Sequence, residues 1–213
     1  LTNNMQITTI SDTHGLHHQL QLPGGDLLIH AGDVCNRGTE KEALDFMNWF
    51  INQDYKYQVF IAGNHDFYFE NFTQTEIQAM LPKNAFYLND SGIEIEGINI
   101  WGSPITPFFN NLAFNKQRGI EIFKHWEKIP NNTNILITHG PPYDVLDKTF
   151  QSLYVGCTNL LTKVEEIQPN YHIFGHIHEG FGMVKKEKTT FINTTSVDLN
   201  YKVRKIPFVE FIM

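Results

Sequence analysis

The sequence predicts an α/β fold built on mixed sheets, and three observations carry that prediction. Short apolar runs alternate with helix-period segments along the whole chain. The first half reads strand, loop, strand, helix, strand, while the second half mixes hairpins with further strand and helix units. Five of the apolar runs are followed within three residues by Asp, Asn or His, and the carboxyl ends of strands are where ligand sites gather in α/β folds.

The strands are expected, in order, at Gln6 to Ile10, Asp26 to His30, Gln58 to Ala62, Ala85 to Leu88, Ile93 to Glu96, Ile98 to Trp101, Asn134 to Thr138 and Tyr171 to Phe174. Three more follow at Gly182 to Val184, Thr189 to Asn193 and Phe208 to Ile212. Helices are expected behind capping residues: Thr39 with Glu42 ahead of Ala43 to Ile51, Thr73 with Glu76 ahead of Ile77 to Leu81, and Thr158 ahead of Leu160 to Ile167. A fourth is expected from Lys116 to Ile129, where Ile120, Phe123 and Trp126 recur at helical spacing. No repeat, low-complexity tract or Pro/Gly/Ser-rich linker interrupts the pattern. With 213 residues, 41% of them hydrophobic, residues 1–213 are expected to form a single domain around one core.

A net charge of −7 lacks the basic footprint of a protein that coats a nucleic-acid backbone, which leaves nucleic acid only as a small substrate. Cys35 and Cys157 lie far apart and form no C-x-x-C pair, against a disulfide framework or a zinc knuckle and for a reducing, cytoplasmic setting. No apolar run approaches the roughly 18 residues that span a bilayer, and neither the basic nor the apolar region of a signal peptide is visible. No membrane association is expected.

The chemistry-bearing blocks come in order. Asp12-Thr13-His14-Gly15 offers a carboxylate and an imidazole two apart in a turn that Gly15 permits. Gly32-Asp33 places a two-oxygen ligand after the second strand. Gly63-Asn64-His65-Asp66 sets an amide oxygen beside an imidazole able to act as proton donor. Thr138-His139-Gly140-Pro141-Pro142 ends a strand in His and then stiffens the backbone. Gly175-His176-Ile177-His178 offers two imidazoles on one side of an extended segment. Each block alone also fits an ordinary turn; all five at strand ends fit a metal cluster. The donors Asp12, His14, Asp33, Asn64, His139, His176 and His178 are nitrogen and oxygen without thiolate, which suits Mn, Fe, Zn or Ni. Seven ligands exceed what one ion with an open position needs. Two divalent ions about 3.5–4 Å apart, bridged by Asp33 and a hydroxide, match displacement at phosphorus.

These blocks resemble the calcineurin-like metallophosphoesterase superfamily, and within it the chain looks like the metallophosphoesterase domain-containing group. That likeness extends through Pro23 to Asp33, Trp101-Gly102-Ser103-Pro104, Phe114-Asn115, Val155-Gly156-Cys157 and Gly175 to Gly180. The resemblance implies a four-layer sandwich of two mixed β-sheets flanked by α-helices. It implies that Asp12, His14 and His178 hold one metal, Manganese being the first candidate, that Asn64, His139 and His176 hold the other, and that Asp33 bridges them. His65 matches a histidine that contacts the scissile phosphate and protonates the leaving oxygen, which makes His65 and Asp33 the expected catalytic pair.

The resemblance also implies a phosphodiesterase for small phosphoesters, with cyclic nucleotides as the expected substrate class. Asn64 and His65 would meet the phosphate. The Pro-, Phe- and Asn-rich segment 102–119 could arch over the metals, where Phe108, Phe109 or Phe114 would stack a base and Arg118 or Asn115 would touch its polar edge, unless these rings merely close the core. The alternatives are a phosphomonoesterase or protein phosphatase, for which three arginines (Arg37, Arg118, Arg204) are few, and a nucleotide-binding scaffold with little turnover. His17, His18, His125 and His172 are read as surface or core residues, and His30 as a group that supports a ligand from behind.

Overall fold

The computed structural model describes residues 4–213. Its strands are β1 (Gln6–Ile10), β2 (Gly25–Ala31), β3 (Tyr55–Ile61), β4 (Ala85–Tyr87), β5 (Ser91–Ile95), β6 (Ile98–Ser103), β7 (Thr106–Pro107), β8 (Asn115–Lys116), β9 (Ile135–Thr138), β10 (Tyr171–Phe174), β11 (Gly182–Lys186), β12 (Thr189–Asn193) and β13 (Val209–Ile212). The helices are α1 (Glu40–Ile51), α2 (Phe67–Glu70), α3 (Gln74–Gln78), α4 (Ile120–Trp126) and α5 (Thr158–Ile167).

Two mixed sheets result. The first runs β13-β1-β2-β3-β4, parallel except for β13; the second runs β11-β12-β10-β9-β6-β5, parallel at its centre with an antiparallel strand at each edge. Period-two alternation decides how they stack. Ile7, Leu27, Ile29, Val59, Ile61, Ile135, Ile137 and Ile173 point into a core between the two sheets. The intervening Leu28, Phe60, Leu136 and Phe174 point outward, where α1, α4 and α5 cover them with Phe46, Phe50, Ile122, Trp126, Leu160 and Val164. The layers are therefore helix, sheet, sheet, helix. Phe60 is fully buried with its ring 5.5 Å from that of Phe46 and 5.6 Å from that of Phe50. Truncating it to Ala would cost about 3–5 kcal/mol.

Both capping boxes form as expected: Thr39 with Glu42 starts α1, and Thr73 with Glu76 starts α3. Three helix expectations need correction, the first being the helix expected at Ile77 to Leu81, which spans Gln74–Gln78. The Lys116–Ile129 helix shortens to Ile120–Trp126, because Gly119 takes φ 91° and Lys116 is already paired in the small β7–β8 ladder. The helix expected behind a Thr158 cap starts at Thr158 itself, with Cys157 at the N-cap and no side-chain cap bond. Neither α2 nor the short 3-10 turns at His17–Gln19 and His178–Gly180 was anticipated. No helix among the described residues is long and apolar enough to cross a membrane.

Candidate metal centre

The first sheet delivers Asp12, Asp33 and Asn64 just beyond β1, β2 and β3, and the second delivers His139 and His176 beyond β9 and β10. Turning these side chains into one site forces the backbone out of extended geometry. Asp12 (φ 51°), His14 (φ 44°), Asp33 (φ 57°) and His176 (φ 68°) are all left-handed, a region that costs non-glycine residues about 1–3 kcal/mol and concentrates at functional sites. This corrects the extended arrangement expected for His176 and His178: the strand ends at Phe174, His176 reverses the chain, and His178 begins a 3-10 turn. The two rings consequently serve different neighbours.

Ligand atoms of Asp12, His14 and His178 gather in one group and those of Asp33, His139 and His176 in another, each within 4.8 Å. Asp33 Oδ2 stands between them, 3.8 Å from His14 Nε2 and 3.3 Å from His139 Nε2, while its Oδ1 accepts from the His65 backbone N–H at 2.8 Å. Asn64 Oδ1 lies 2.9 Å from His139 Nε2. His65 also falls within reach of His14 and Asp33, so distance alone does not hold it outside a ligand set. Small residues make the approach possible. A Cβ on Gly175 would sit 2.0 Å from Asp12 Oδ2, and one on Gly63 would sit 2.4 Å from Asp33 Oδ1.

The chemistry of the donor set fits cations. His14, His139 and His178 each turn Nδ1 toward a backbone carbonyl, of Cys35 at 3.3 Å, Ala31 at 2.9 Å and Asp198 at 3.1 Å. An imidazole that donates its Nδ1 proton this way presents a lone pair on Nε2, the arrangement metal-binding histidines adopt. Nε2 of His14 and Nε2 of His178 then face each other at 3.4 Å, a contact that only a positive charge relieves. Protons supply that charge in the metal-free protein. Burial works against a charged His139, yet the neighbouring Asp33 carboxylate overcomes it and pushes the pKa up to about 9. His178 is raised as well, its burial outweighed by the hydrogen bond to Asp12. Burial would raise Asp12 and Asp33, but the hydrogen bond from His178 to the first and the His139 charge beside the second hold both well below the usual carboxylate range.

Supporting residues hold these ligands in turn. His30, buried, accepts from the Gly32 N–H on Nδ1 and meets Thr13 Oγ1 at 3.0 Å on Nε2, which places it behind the Asp12 and Asp33 loops. Asp66, to which no role was given, accepts the backbone N–H groups of Val34, Cys35 and Gly63 and so ties the Asp33 loop to the Asn64 loop; its burial, together with the Asp33 charge, pushes its pKa up to about 7. A separate grouping of His17, His18 and Asp45 shares one carboxylate oxygen at 3.1 and 3.0 Å. His17 Nδ1 is buried without a partner, so its proton belongs on Nε2, donated to Asp45, and its lone pair lies on the buried Nδ1, on the opposite side of the ring from the shared carboxylate.

A cavity of about 200 Å³ opens over the cluster, lined by His14, Asp33, Asn64, His65, His176 and His178 from below and by Phe109, Leu112, Glu179, Leu199 and Tyr201 from the rim. Of the residues expected at the substrate, Asn64, His65 and Phe109 face it. Phe114 does not: it is 5% exposed and packs in the outer core. Arg118 does not reach the cluster cavity either, since its guanidinium donates to the carbonyls of Gly156 at 2.8 Å and Val155 at 2.6 Å. Asn115 is likewise engaged by the Phe109 and Leu112 carbonyls. Tyr201 was not foreseen; its ring lies 4.9 Å from that of His14 and 5.7 Å from that of His178. It sits in a polar stretch after β12 in which no motif marks it.

Residues 5–180 match the calcineurin-like phosphoesterase family. The chain is 38% identical over 226 residues to metallophosphoesterase domain-containing protein 1 of Homo sapiens, covering 94% of this chain and 68% of the relative. It is 36% identical to a UPF0046 protein of Caenorhabditis elegans, over 99% of this chain and 76% of the relative. Among solved structures, TT1561 of Thermus thermophilus shares the fold at a TM-score of 0.67 and 12% identity, covering 98% of this chain and 99% of that one. Phosphopantetheinyl hydrolase from Mycobacterium tuberculosis does so at 0.63 and 15% identity, covering 97% and 95%.

Proposed function

The chain belongs to the calcineurin-like phosphoesterase family, and from that premise we propose that it is a dinuclear metal-dependent hydrolase of small phosphodiesters. Asp12, His14 and His178 would hold one divalent ion and Asn64, His139 and His176 the other, with Asp33 within reach of both groups. The ions, manganese first among those the nitrogen and oxygen donors suit, supply Lewis acidity toward the phosphoryl group and an acidified water.

The chain's own residues position the ester and manage the leaving group. The Nδ1 of His65 donates to the Asn36 carbonyl at 2.9 Å, which fixes the ring beside the cavity; the proton to be transferred is then the one Nε2 holds in the imidazolium form. As the oxygen of a water that has given up one proton to solvent bonds to phosphorus and the bond to the leaving oxygen breaks, the His65 proton passes to the departing alkoxide; the products are a monoester and an alcohol, and a solvent proton restores His65. The His65 backbone N–H holds Asp33, and Asn64, beside His139, would meet the phosphate.

One observation favours a diester over a dianionic monoester. Among the described residues, the cavity over the cluster is lined by no lysine or arginine, and it does include Glu179. A singly charged diester needs less positive charge there than a monoester dianion. Cyclic nucleotides remain the first nucleotide class to assay, on the exposed ring of Phe109 alone. The test is a metal-by-substrate matrix on stripped protein: bis-p-nitrophenyl phosphate, p-nitrophenyl phosphate, and 3′,5′- and 2′,3′-cyclic nucleotides, each with Mn, Fe, Zn or Ni. Hydrolysis of the monoester without hydrolysis of any diester would overturn the proposal.

A further inference from the structure

Beside the cavity over the cluster lies a second and larger one of about 510 Å³, and it is apolar. Phe108, Phe109, Pro141, Phe150, Leu153 and Ile177 are among its apolar walls. The two adjoin, because Phe109, His176 and Glu179 line both. Building on the phosphodiesterase reading, we propose that this groove receives one ester arm of the substrate and that the arm is a hydrocarbon chain, with the phosphoryl group at the cluster and the chain running past His176.

Three features select that occupant. The groove is displayed on purpose: Phe150 is 75% exposed and Leu153 56%, yet the loop bearing them is held by a tight turn. Ser152 N–H donates to the Thr149 carbonyl at 2.8 Å, Thr149 N–H to the Leu153 carbonyl at 2.9 Å, and Phe150 N–H to Glu179 Oε1 at 2.8 Å. Exposed rings fixed in this way, around an apolar depression that adjoins polar chemistry, are the anatomy of a ligand groove. Secondly, two of the polar side chains that line it, Arg118 and Thr149, are already engaged, which leaves Gln151 as the one uncharged amide there. Arg118 is donated to two carbonyls and Thr149 Oγ1 is paired with Leu153, so little is left to read the hydrogen-bonding edge of a nucleobase. Thirdly, the Glu179 carboxylate at the junction offsets the charge of Arg118, which also lines the groove, so no net cationic surface is offered to a diphosphate or triphosphate chain.

The experiment uses the full chain with p-nitrophenyl diesters whose second arm is methyl, butyl, hexyl, octyl or thymidine-5′-yl, all below their micelle concentrations. The expected kcat/KM rises about fourfold per buried methylene until the groove is filled, and the thymidine ester does no better than the butyl ester. Phe150→Ser and Leu153→Ser each lower the octyl-to-methyl ratio at least threefold, whereas Met183→Ser, on β11 outside both cavities, leaves it in place. Using the ratio within one variant removes any effect of folding yield. Binding provides a readout independent of turnover: by calorimetry, octylphosphonate is expected to bind at least tenfold more tightly than methylphosphonate. A rise below twofold from methyl to octyl, or a thymidine ester preferred over every alkyl ester, overturns the groove assignment while sparing the hydrolase. Absence of cleavage for every diester overturns the hydrolase, and the phosphonate comparison then decides the groove by itself.

Discussion

If protons occupy the cluster before metals do, then metal binding is a competition that pH controls. The pKa of about 9 at His139 means that, at pH 7, an ion entering the Asp33, His139 and His176 group must displace a proton held by about two pH units. That costs about 2.7 kcal/mol, or about 100-fold in affinity relative to pH 9. The apparent Kd for Mn should therefore fall about tenfold per pH unit from 7 and level off near 9. Calorimetric titration of stripped protein under anaerobic conditions, in buffers of differing ionisation enthalpy, should record about one proton released per ion at neutral pH. His178 is raised in the same direction and adds to the release at the other group. His139→Asn keeps a neutral oxygen ligand but removes the titrating group, so its residual slope belongs to metal-acidified water. A wild-type Kd that is flat between pH 7 and 8.5, or a His139→Asn slope equal to the wild type's, would refute the competition. The sign carries over to folding: a pKa raised above the unfolded value stabilises the metal-free protein below about pH 6.5, and that contribution is lost as the pH climbs through about 9.

Replacing His65 with Ala should lower kcat on an alkyl diester by about 10²–10⁴-fold and far less on a p-nitrophenyl ester, whose leaving group needs no proton, with metal content unchanged by elemental analysis. Gly175→Ala would push a methyl group into Asp12 and Ser11, costing about 1–3 kcal/mol by urea denaturation and lowering metal occupancy; full occupancy in that variant would contradict the close packing. His172 is driven down to about pKa 3 by burial. Thr138 donates its hydroxyl proton to Gly140, so His172 bonds Thr138 through a protonated Nε2, and its Nδ1 is left buried without a partner. The unfolded chain then binds the extra proton, and stability attributable to His172 should be lost as the pH falls below about 6.5, about 2 kcal/mol by pH 5; His172→Leu should flatten that part of the pH profile, measured on stripped protein. Removing metal with a chelator should leave the far-ultraviolet dichroism unchanged and lower Tm only by mass action, so unfolding on chelation would show that the site is not prebuilt.

What could be read from the sequence follows how local its cause is. β1, β10 and β12 match their expected bounds residue for residue, and both Thr/Glu capping boxes form, because alternation and capping act over a few neighbours. The seven proposed ligands were visible for a related reason, since each follows a strand whose end is marked by its own pattern. The substrate side was not. Phe109 and Phe114 belong to one aromatic stretch, and which of them faces the cavity is set by left-handed turns at Asn110, Asn111 and Phe114 itself. Composition does not encode that reversal. Tyr201 and Leu199 come to the rim from a loop whose placement depends on Arg204 donating to the His178 and Thr195 carbonyls, a long-range contact without a sequence signature.

The strained residues explain why a site of this kind needs two sheets. Four left-handed ligand residues would relax if nothing opposed them, and ordinary side-chain packing around charged groups is a poor restraint. Backbone hydrogen bonds supply the opposition. Asp12 N–H donates to the Gly32 carbonyl at 2.8 Å and His14 N–H to the Asp33 carbonyl at 3.0 Å, which locks the loops after β1 and β2 to each other. The second sheet is joined through the ligands themselves: His176 N–H lies 3.0 Å from both oxygens of Asp12, and Ser11 N–H donates to the Thr194 carbonyl at 3.0 Å. Asp12 is thereby both a candidate metal ligand and a clasp between sheets, with Oδ1 facing His14 and His178. The cost of holding the site open falls on the sandwich core, so an arriving ion would meet donors already in place and would have protons to displace but no side chains to order.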